Sequence, residues 1–391
     1  MKRRGLLALG CAQCVTAGWA FWAPAARAQA SAPVGDDWTP PARFTRPGLA
    51  SDEGGLWAMM DREETRLRRS PFMMRDEALK AYLQGVMVKL AGEHAPDVRV
   101  YPVRTPFFNA SMAPNGMVQI WSGLLLRVEN EAQLASVLGH ELGHYLHKHL
   151  LDRLADAKSR SAFGTFMAMF GIVGLVAQMM ALAGSFGFSR DQEREADRIG
   201  LNLMRRAGYD PREAAKIWEN LHAELASAHS EQTSPMFATH PASAERSATL
   251  ARLAQSSEGG FVGETEYQRQ LAPFQFALLE DEVKRGQYAE TLALLDRLMK
   301  RWPQRADLPY FRGEARRLRA GTGDLEAAQA DFDAAVALGS EPPAVHRSLG
   351  YLQQKFERPD AAQTAFARYL ELAPDAPDAA LIRSYFPENK P

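Results

Sequence analysis

Apolar residues recur with a helical period along most of the chain, and they alternate with a strand period in two short stretches. The first helical stretches are Gly55–Arg69 and Asp76–Glu93. The strand-like stretches are Val98–Arg104 and Met117–Trp121, and a Pro-Asn-Gly turn precedes the second one. This order of elements predicts an α+β protein that is mainly α, with a small sheet in its first half.

Two further helices carry clear end signals. One is predicted to begin near Asn130, whose side chain can cap it, with Gln133 at the capping-box position. The other is predicted to begin after Ser189, with Gln192 at the equivalent position, and to end at Gly208. The first of these helices contains the histidine-rich segment VLGHELGHYLHKH.

The last third of the chain repeats one pattern of apolar positions. The copies are Gly286–Pro303, Gly323–Ser340 and Glu357–Pro374. Their equivalent positions are held first by Leu295, Phe332 and Phe366, and then by Leu298, Ala335 and Tyr369. Offsets of 37 and 34 residues are typical of the tetratricopeptide repeat, a helix–turn–helix unit. We therefore predict an all-α solenoid closed by a helix near Asp378–Tyr385, with an unrelated helical bundle as the alternative.

The N-terminal segment differs from the rest of the chain. Basic residues at positions 2–4 precede Gly5–Trp22, which is uncharged, and small residues then allow cleavage after Ala28 or Ala30. This pattern predicts a signal peptide and export to the periplasm, with an uncleaved membrane anchor as the alternative. Both cysteines, Cys11 and Cys14, lie inside this segment. Any metal in the mature chain would therefore be held by histidine and carboxylate.

Composition and charge exclude one class of function. Apolar residues make up 46% of the chain and charged residues 24%, as in ordinary globular proteins. The formal net charge is −1, so the chain has no basic field that would attract nucleic acid.

The histidine-rich segment has the spacing of a metal site. His140 and His144 are one helical turn apart, so their imidazoles project from one face and can share a metal ion. Glu141 is rotated about 100° away, where it can reach a water molecule at the metal. Two histidine ligands, a neighbouring base and an open position are what a zinc hydrolase needs.

The third ligand is expected on the helix that follows Ser189. His147 would rotate off the metal face, whereas Glu193 and Asp197 lie on one stripe of this second helix. This arrangement favours Glu193 as a ligand and Asp197 as the carboxylate that orients a ligand histidine. Glu195 is expected to point the opposite way into solvent, and His149 to be a surface or structural histidine.

These motifs resemble the gluzincin metallopeptidases, the family that includes the CAAX prenyl proteases. HExxH is followed by ExxxD, with an apolar segment between them. FNASMAPNGMVQIWSGLL is similar to the edge strand of that family, and EADRIG, GYDP and the His-Pro pair of ATHPASAER are similar to its later motifs. The similarity spans most of residues 55–375. With the signal peptide and the repeats, it extends to exported members that act on outer-membrane β-barrel proteins.

The resemblance implies a mechanism and a function. One Zn²⁺ per chain would be bound by the two histidines and Glu193, with Glu141 as general base and Asp197 behind a ligand. His240, from the His-Pro pair, would either stabilise the oxyanion or occupy the fourth zinc position and hold the enzyme latent. Substrate would add as a strand near Asn109–Pro114.

The predicted function is that of an exported zinc endopeptidase in the quality control of outer-membrane β-barrel assembly. It would cleave misfolded or stalled proteins, while the repeats dock to a partner such as the β-barrel assembly machinery. One alternative is a periplasmic chaperone or scaffold with a latent or structural zinc site. Another is an integral-membrane peptidase with its site facing the cytoplasm.

The uncharged segment 161–189 constrains these readings. A single crossing would put His144 and Glu193 on opposite sides of about 30 Å of hydrocarbon, which is incompatible with one shared metal ion. We therefore predict an apolar hairpin or re-entrant segment with possible peripheral membrane contact. The predicted organisation is a signal peptide (1–28), an extended lead-in (29–54), a zinc metallopeptidase domain (55–253), a linker (254–271), and three repeats with a capping helix (272–391).

Overall fold

The computed structural model describes residues 38–159, 187–227, 235–240 and 244–386. The predicted signal peptide and nearly all of the apolar segment 161–189 lie outside these ranges. Within the described ranges, no helix combines the length and the apolar character needed to cross a bilayer.

A small sheet and a set of helices form the first two thirds of the described chain. The strands are β1 (Arg99–Val103), β2 (Ala110–Met112) and β3 (Met117–Trp121). The helices are α1 (Asp52–Arg69), α2 (Glu77–Ala91), α3 (Ser122–Arg127), α4 (Glu131–Leu146), α5 (His149–Ser159), α6 (Arg190–Arg206), α7 (Glu213–Ser227), α8 (Pro235–Thr239) and α9 (Ala244–Ala254). The predicted mainly helical fold with a small sheet is confirmed.

The sheet has the strand order β1-β3-β2. β1 runs parallel to β3, and β2 runs antiparallel to β3 with Ser111 opposite Gln119. No strand in the described ranges pairs with the outer side of β2. The short strand in the Asn-Ala segment is therefore an edge strand.

Close packing between α4 and α6 brings the two metal-site motifs together. Both helices begin at the predicted caps, because Asn130 accepts from the Gln133 amide and Ser189 forms a full capping box with Gln192. Small residues face each other where the helices touch. A side chain at Gly139 would approach the Gly200 carbonyl oxygen to 3.2 Å, and one at Gly143 would approach Ala196 to 3.0 Å. Only small residues allow the two backbones to lie this close.

Seven helices form the last third of the chain as far as it is described, up to residue 386. They are α10 (Glu264–Lys284), α11 (Tyr288–Arg301), α12 (Asp307–Arg319), α13 (Asp324–Ala337), α14 (Ala344–Lys355), α15 (Pro359–Leu372) and α16 (Ala379–Arg383). α12 packs on α13, and α14 packs on α15. All six equivalent apolar positions of the repeated pattern are buried.

The predicted linker 254–271 is wrong in its second half. Residues from Glu264 onward belong to α10, and Tyr267 is buried and donates a hydrogen bond of 2.6 Å to the Leu125 carbonyl. The residues just before α10 also contact the first region, because the Ala132 amide donates a hydrogen bond to the Val262 carbonyl. One continuous apolar core therefore joins the two regions across this stretch. The Gly-Ser-Glu composition suggested a free linker, but tertiary contacts override it.

Buried ion pairs reinforce the same interface. Arg127 on α3 bonds to Glu224 at 2.7 Å and to Glu282 at 2.9 Å. Arg285 bonds to Glu282 and Arg297 to Glu224. We call these five side chains the interface cluster.

Candidate metal centre

Four side chains from three helical segments converge at one buried point. His140 and His144 come from α4, Glu193 from α6, and His240 directly follows α8. His140 Nε2 lies 3.1 Å from His144 Nε2 and 3.2 Å from His240 Nδ1. Glu193 Oε1 lies 3.0 Å from His240 Nδ1 and 3.4 Å from His144 Nε2. All four side chains are buried.

These distances fit one tetrahedral metal ion. Ligand atoms about 2.1 Å from a zinc ion lie about 3.4 Å from one another. The four separations given above, 3.0–3.4 Å, are close to the edges of such a tetrahedron. Two imidazole nitrogens at 3.1 Å also need a cation or a proton between them, because bare lone pairs repel. The donor set of histidine nitrogen and carboxylate oxygen suits zinc.

Asp197 contacts the His140 imidazole directly. Asp197 Oδ1 lies 2.9 Å from His140 Nδ1, so it accepts that N–H and leaves Nε2 bare for the metal. Arg246 in turn donates to both oxygens of Asp197, at 2.7 and 2.9 Å, and its third nitrogen lies 2.7 Å from Glu193 Oε2. Its guanidinium also lies over the Trp218 ring. Arg246 thus positions the carboxylates of both Glu193 and Asp197 on α6.

Sequence reasoning missed Arg246 as a site residue. It lies in the ATHPASAER segment, whose His-Pro pair carried part of the family resemblance, but no spacing rule links it to α6. Only the packing of α9 against α6 brings the guanidinium to the metal centre.

Two other contacts hold His144. The Phe188 ring stacks on the imidazole with centroids 3.8 Å apart, and His149 Nδ1 lies 2.9 Å from His144 Nδ1. His149 Nε2 is 3.0 Å from Glu195 Oε2, and His147 Nδ1 is 3.1 Å from Glu195 Oε1. The prediction that Glu195 points into solvent is wrong, since its side chain is only 13% exposed.

A break in the helix explains this error. Lys148 has a φ of +53°, so the chain turns sharply between α4 and α5. A continuous helix would place a residue five positions on about 140° away from His144. The turn instead brings His149 back against His144.

Glu141 is buried at the edge of the centre. Its Oε1 lies 3.5 Å from His240 Nε2 and has no hydrogen-bond partner among the described residues. Burial raises the pKa of this carboxyl above its usual range. A carboxylate beside the metal position, with a free lone pair, is suited to accept a proton.

The neighbouring charges set the ionisation of the other groups. Burial alone would protonate Glu193, but His240 and Arg246 hold its pKa well below the usual range. Burial lowers the pKa of His144 well below its usual value, which favours the neutral imidazole that a metal binds. Burial would also lower the pKa of His240, but Glu193 and Glu141 raise it.

A cleft joins the centre to the outer edge of the sheet. Glu141, His144 and His240 line one end, and the edge strand β2 with its flanking residues lines the other. Phe44, Trp121 and Phe188 contribute apolar walls. The cleft can therefore hold an extended chain against β2 with one of its peptide bonds at the metal position.

Comparison with known proteins agrees with this geometry. Residues 74–254 match peptidase family M48. The chain is 34% identical over 153 residues to the mitochondrial metalloendopeptidase OMA1 of Arabidopsis thaliana. This alignment covers 39% of this chain and 31% of that protein. The chain is 30% identical over 220 residues to the β-barrel assembly-enhancing protease of Escherichia coli. This alignment covers 52% of this chain and 44% of the relative.

A third relative is the putative β-barrel assembly-enhancing protease of Vibrio cholerae, which is 28% identical over 197 residues. This match covers 46% of the chain and 40% of the relative. In all three, the aligned part is less than half the length of the relative. The resemblance of the HExxH and ExxxD motifs to a metallopeptidase family is confirmed, since both lie within the matched residues.

Proposed function

Because residues 74–254 match peptidase family M48, we propose that this chain is an exported zinc-dependent endopeptidase of misfolded or stalled proteins. The observation that carries the proposal is the position of Glu141. It lines the same cleft as His144, His240 and strand β2, whose outer edge pairs with no other described strand. Base, metal position and substrate edge are therefore within reach of one bound peptide.

The residues of the chain divide the work of hydrolysis. A zinc ion bound by His140, His144 and Glu193 would polarise the substrate carbonyl and lower the pKa of water. The edge of β2 holds the substrate as an added strand through backbone hydrogen bonds, which tolerate many sequences. Glu141 takes a proton from the attacking water and delivers it to the departing amide nitrogen.

A direct test compares casein cleavage by the purified protein with cleavage by Glu141→Gln, with zinc content measured on both. We expect both to contain zinc and the variant to cleave about 10²–10⁴-fold more slowly, because the base is lost while the ligands remain. Glu219→Gln, an exposed glutamate on α7, is the matched control. Equal, measurable cleavage by parent and Glu141→Gln would contradict the proposal, whereas cleavage by neither would make His240→Ala the deciding variant.

His240 bears on whether the enzyme is active or latent at rest. We propose that it acts as a fourth metal ligand, because its Nδ1 lies 3.0 Å from Glu193 Oε1 and 3.2 Å from His140 Nε2. A ligand in this position would exclude water until it moves aside. His240→Ala should then retain zinc and cleave casein faster. Slower cleavage would instead support a role at the oxyanion.

The same geometry supports the alternative of a chaperone or scaffold with a structural zinc site, because four protein ligands close a metal site. The two functions differ in the behaviour of His240→Ala. A variant that binds zinc but still cleaves nothing would favour the structural site. Any cleavage that depends on Glu141 favours the peptidase.

The helices after residue 264 support a docking role. We propose that they are tetratricopeptide-like repeats, since their equivalent apolar positions are all buried between paired helices. By likeness to the β-barrel assembly-enhancing proteases, the substrate class would be outer-membrane β-barrel proteins and the location the periplasm, with the assembly machinery as partner. An unfolded β-barrel protein should then be cleaved faster than casein.

A further inference from the structure

His147, His149 and Glu195 form a second group of potential metal ligands beside the first. Their ligand atoms lie within 4.8 Å of one another, and Glu195 is close to both imidazoles. The second group is connected to the first, because His149 Nδ1 lies 2.9 Å from Nδ1 of the proposed ligand His144. The direction of each hydrogen bond in this chain decides what the second group does.

The hydrogen-bond directions follow from the carboxylate. An ionised carboxylate only accepts, so His149 Nε2 must donate to Glu195 Oε2 over their 3.0 Å. A neutral imidazole has one N–H, which leaves His149 Nδ1 as an acceptor. His144 Nδ1 must then donate to it. The proton of His144 is thereby kept on Nδ1, and its Nε2 is bare and faces the metal position.

A second metal ion in this group would conflict with the first. An ion bound to His149 Nε2 would move the proton of that imidazole to Nδ1, where it faces His144 Nδ1. His144 would then carry its own proton on Nε2 and be unable to bind the first metal. The first group offers four converging ligand atoms and the second offers three. We therefore take the first group as the metal site and the second as its support.

We propose that Glu195 and His149 form a positioning relay that fixes the tautomer and the orientation of His144. This inference rests on the proposed metal site and adds two residues that support it. Both ligand histidines of α4 would then be oriented by carboxylates of α6, His140 directly by Asp197 and His144 through His149. The left-handed turn at Lys148 is what allows His149 to fill the gap between Glu195 and His144.

Zinc affinity, measured by competition with a chromophoric chelator, tests the relay independently of proteolysis. His149→Phe keeps a ring but removes the acceptor from His144 Nδ1. His149→Asn places an amide oxygen close to the position of the lost Nδ1. We expect His149→Phe to bind zinc about 10–100-fold more weakly and His149→Asn to bind within about 3-fold of the parent. The visible spectrum of the cobalt-substituted protein should shift in the first variant only.

His147→Phe is the matched control, because His147 contacts the same carboxylate but does not touch His144. It should bind zinc as the parent does. Equal zinc affinity in all variants, or an equal loss in His149→Phe and His149→Asn, would overturn the relay. If His149→Phe does not fold, Glu195→Leu against Glu195→Gln decides, since only glutamine still accepts from His149 Nε2. A parent protein without zinc would overturn the metal site itself, whatever the variants do.

Discussion

Helix α7 contributes to two buried charge clusters that differ in what completes them. At one end, Trp218 lies under Arg246 of the metal centre, and further along, Glu224 belongs to the interface cluster. In the interface cluster every buried carboxylate bonds to at least two guanidinium groups. In the metal centre, Arg246 is shared by two carboxylates, Glu141 has none, and bare imidazole nitrogens face each other.

The difference shows that burial of charge has two separate purposes in this molecule. Both carboxylates of the interface cluster are paired with arginines of the same chain, so the cluster joins the metal-site region to the C-terminal helices without a ligand. The metal centre is incomplete without a cation, so its stability depends on metal concentration. Four predictions follow from this contrast.

The largest effect is expected from breaking the interface cluster. Arg127→Met removes the shared guanidinium and leaves Glu224 and Glu282 each with one remaining guanidinium partner in a buried site. We expect a loss of about 3–5 kcal/mol in the free energy of unfolding, measured with urea, while zinc content is unchanged. Arg301→Met, which breaks the exposed pair with Glu264, should cost less than about 1 kcal/mol. A similar small cost for Arg127→Met would show that the cluster is not stabilising.

Acid should weaken the interface cluster next. Burial works against ionisation of Glu282, but Arg127 and Arg285 lower its pKa from 4.5 to about 2. A lowered folded-state pKa gives stability that is complete above the unfolded-state pKa and lost as the pH falls towards 2. The loss should be roughly 3 kcal/mol between pH 6 and pH 2. Glu282→Gln should be less stable at pH 6 and show a flatter dependence, and an unchanged pH dependence would contradict the assignment.

At the metal centre, a smaller effect is expected from Asp197→Asn. The amide can no longer accept from His140 and Arg246 with a full negative charge, so we expect zinc binding to weaken about 10–100-fold. Chelator competition measures this change. Asp191→Asn, at an exposed position in the first turn of the same helix, should leave zinc affinity unchanged. Parent-like affinity in Asp197→Asn would remove its positioning role.

The smallest expected effect is the coupling between the Arg127→Met and Asp197→Asn changes, measured in the double variant. Arg127 and Asp197 share no bonded partner, although α7 contacts both clusters. The losses in unfolding free energy for Arg127→Met and Asp197→Asn should therefore add to within about 0.5 kcal/mol. A larger deviation would show that α7 transmits strain between the interface and the metal centre.

Residues related by a helical period were predictable from the sequence. The four-residue spacing of His140 and His144 and the stripe of Glu193 and Asp197 give the right faces, because both lie on regular helices with strong caps. The role of His149 was not predictable, since it depends on the left-handed Lys148. Backbone breaks of this kind leave little trace in a hydrophobic pattern.

Contacts between distant segments were equally hidden. Arg246 and the helical start at Glu264 are placed by tertiary packing, Arg246 against α6 and Glu264 against the core around the metal site. From sequence alone, a charged residue without a periodic partner is expected to be solvated, and a Gly-Ser-Glu stretch is expected to be a linker. In both cases local composition was outweighed by contacts made far along the chain.

The small residues between α4 and α6 have a consequence for protein design. Gly139, Gly143, Ala196 and Gly200 contact no ligand through a side chain, yet they set how close the two helix backbones can come. A designer who transplants only the histidines and carboxylates onto a pair of ordinary leucine-packed helices would separate the donors by a further few ångströms. The portable unit is therefore the ligand set together with its four spacer residues.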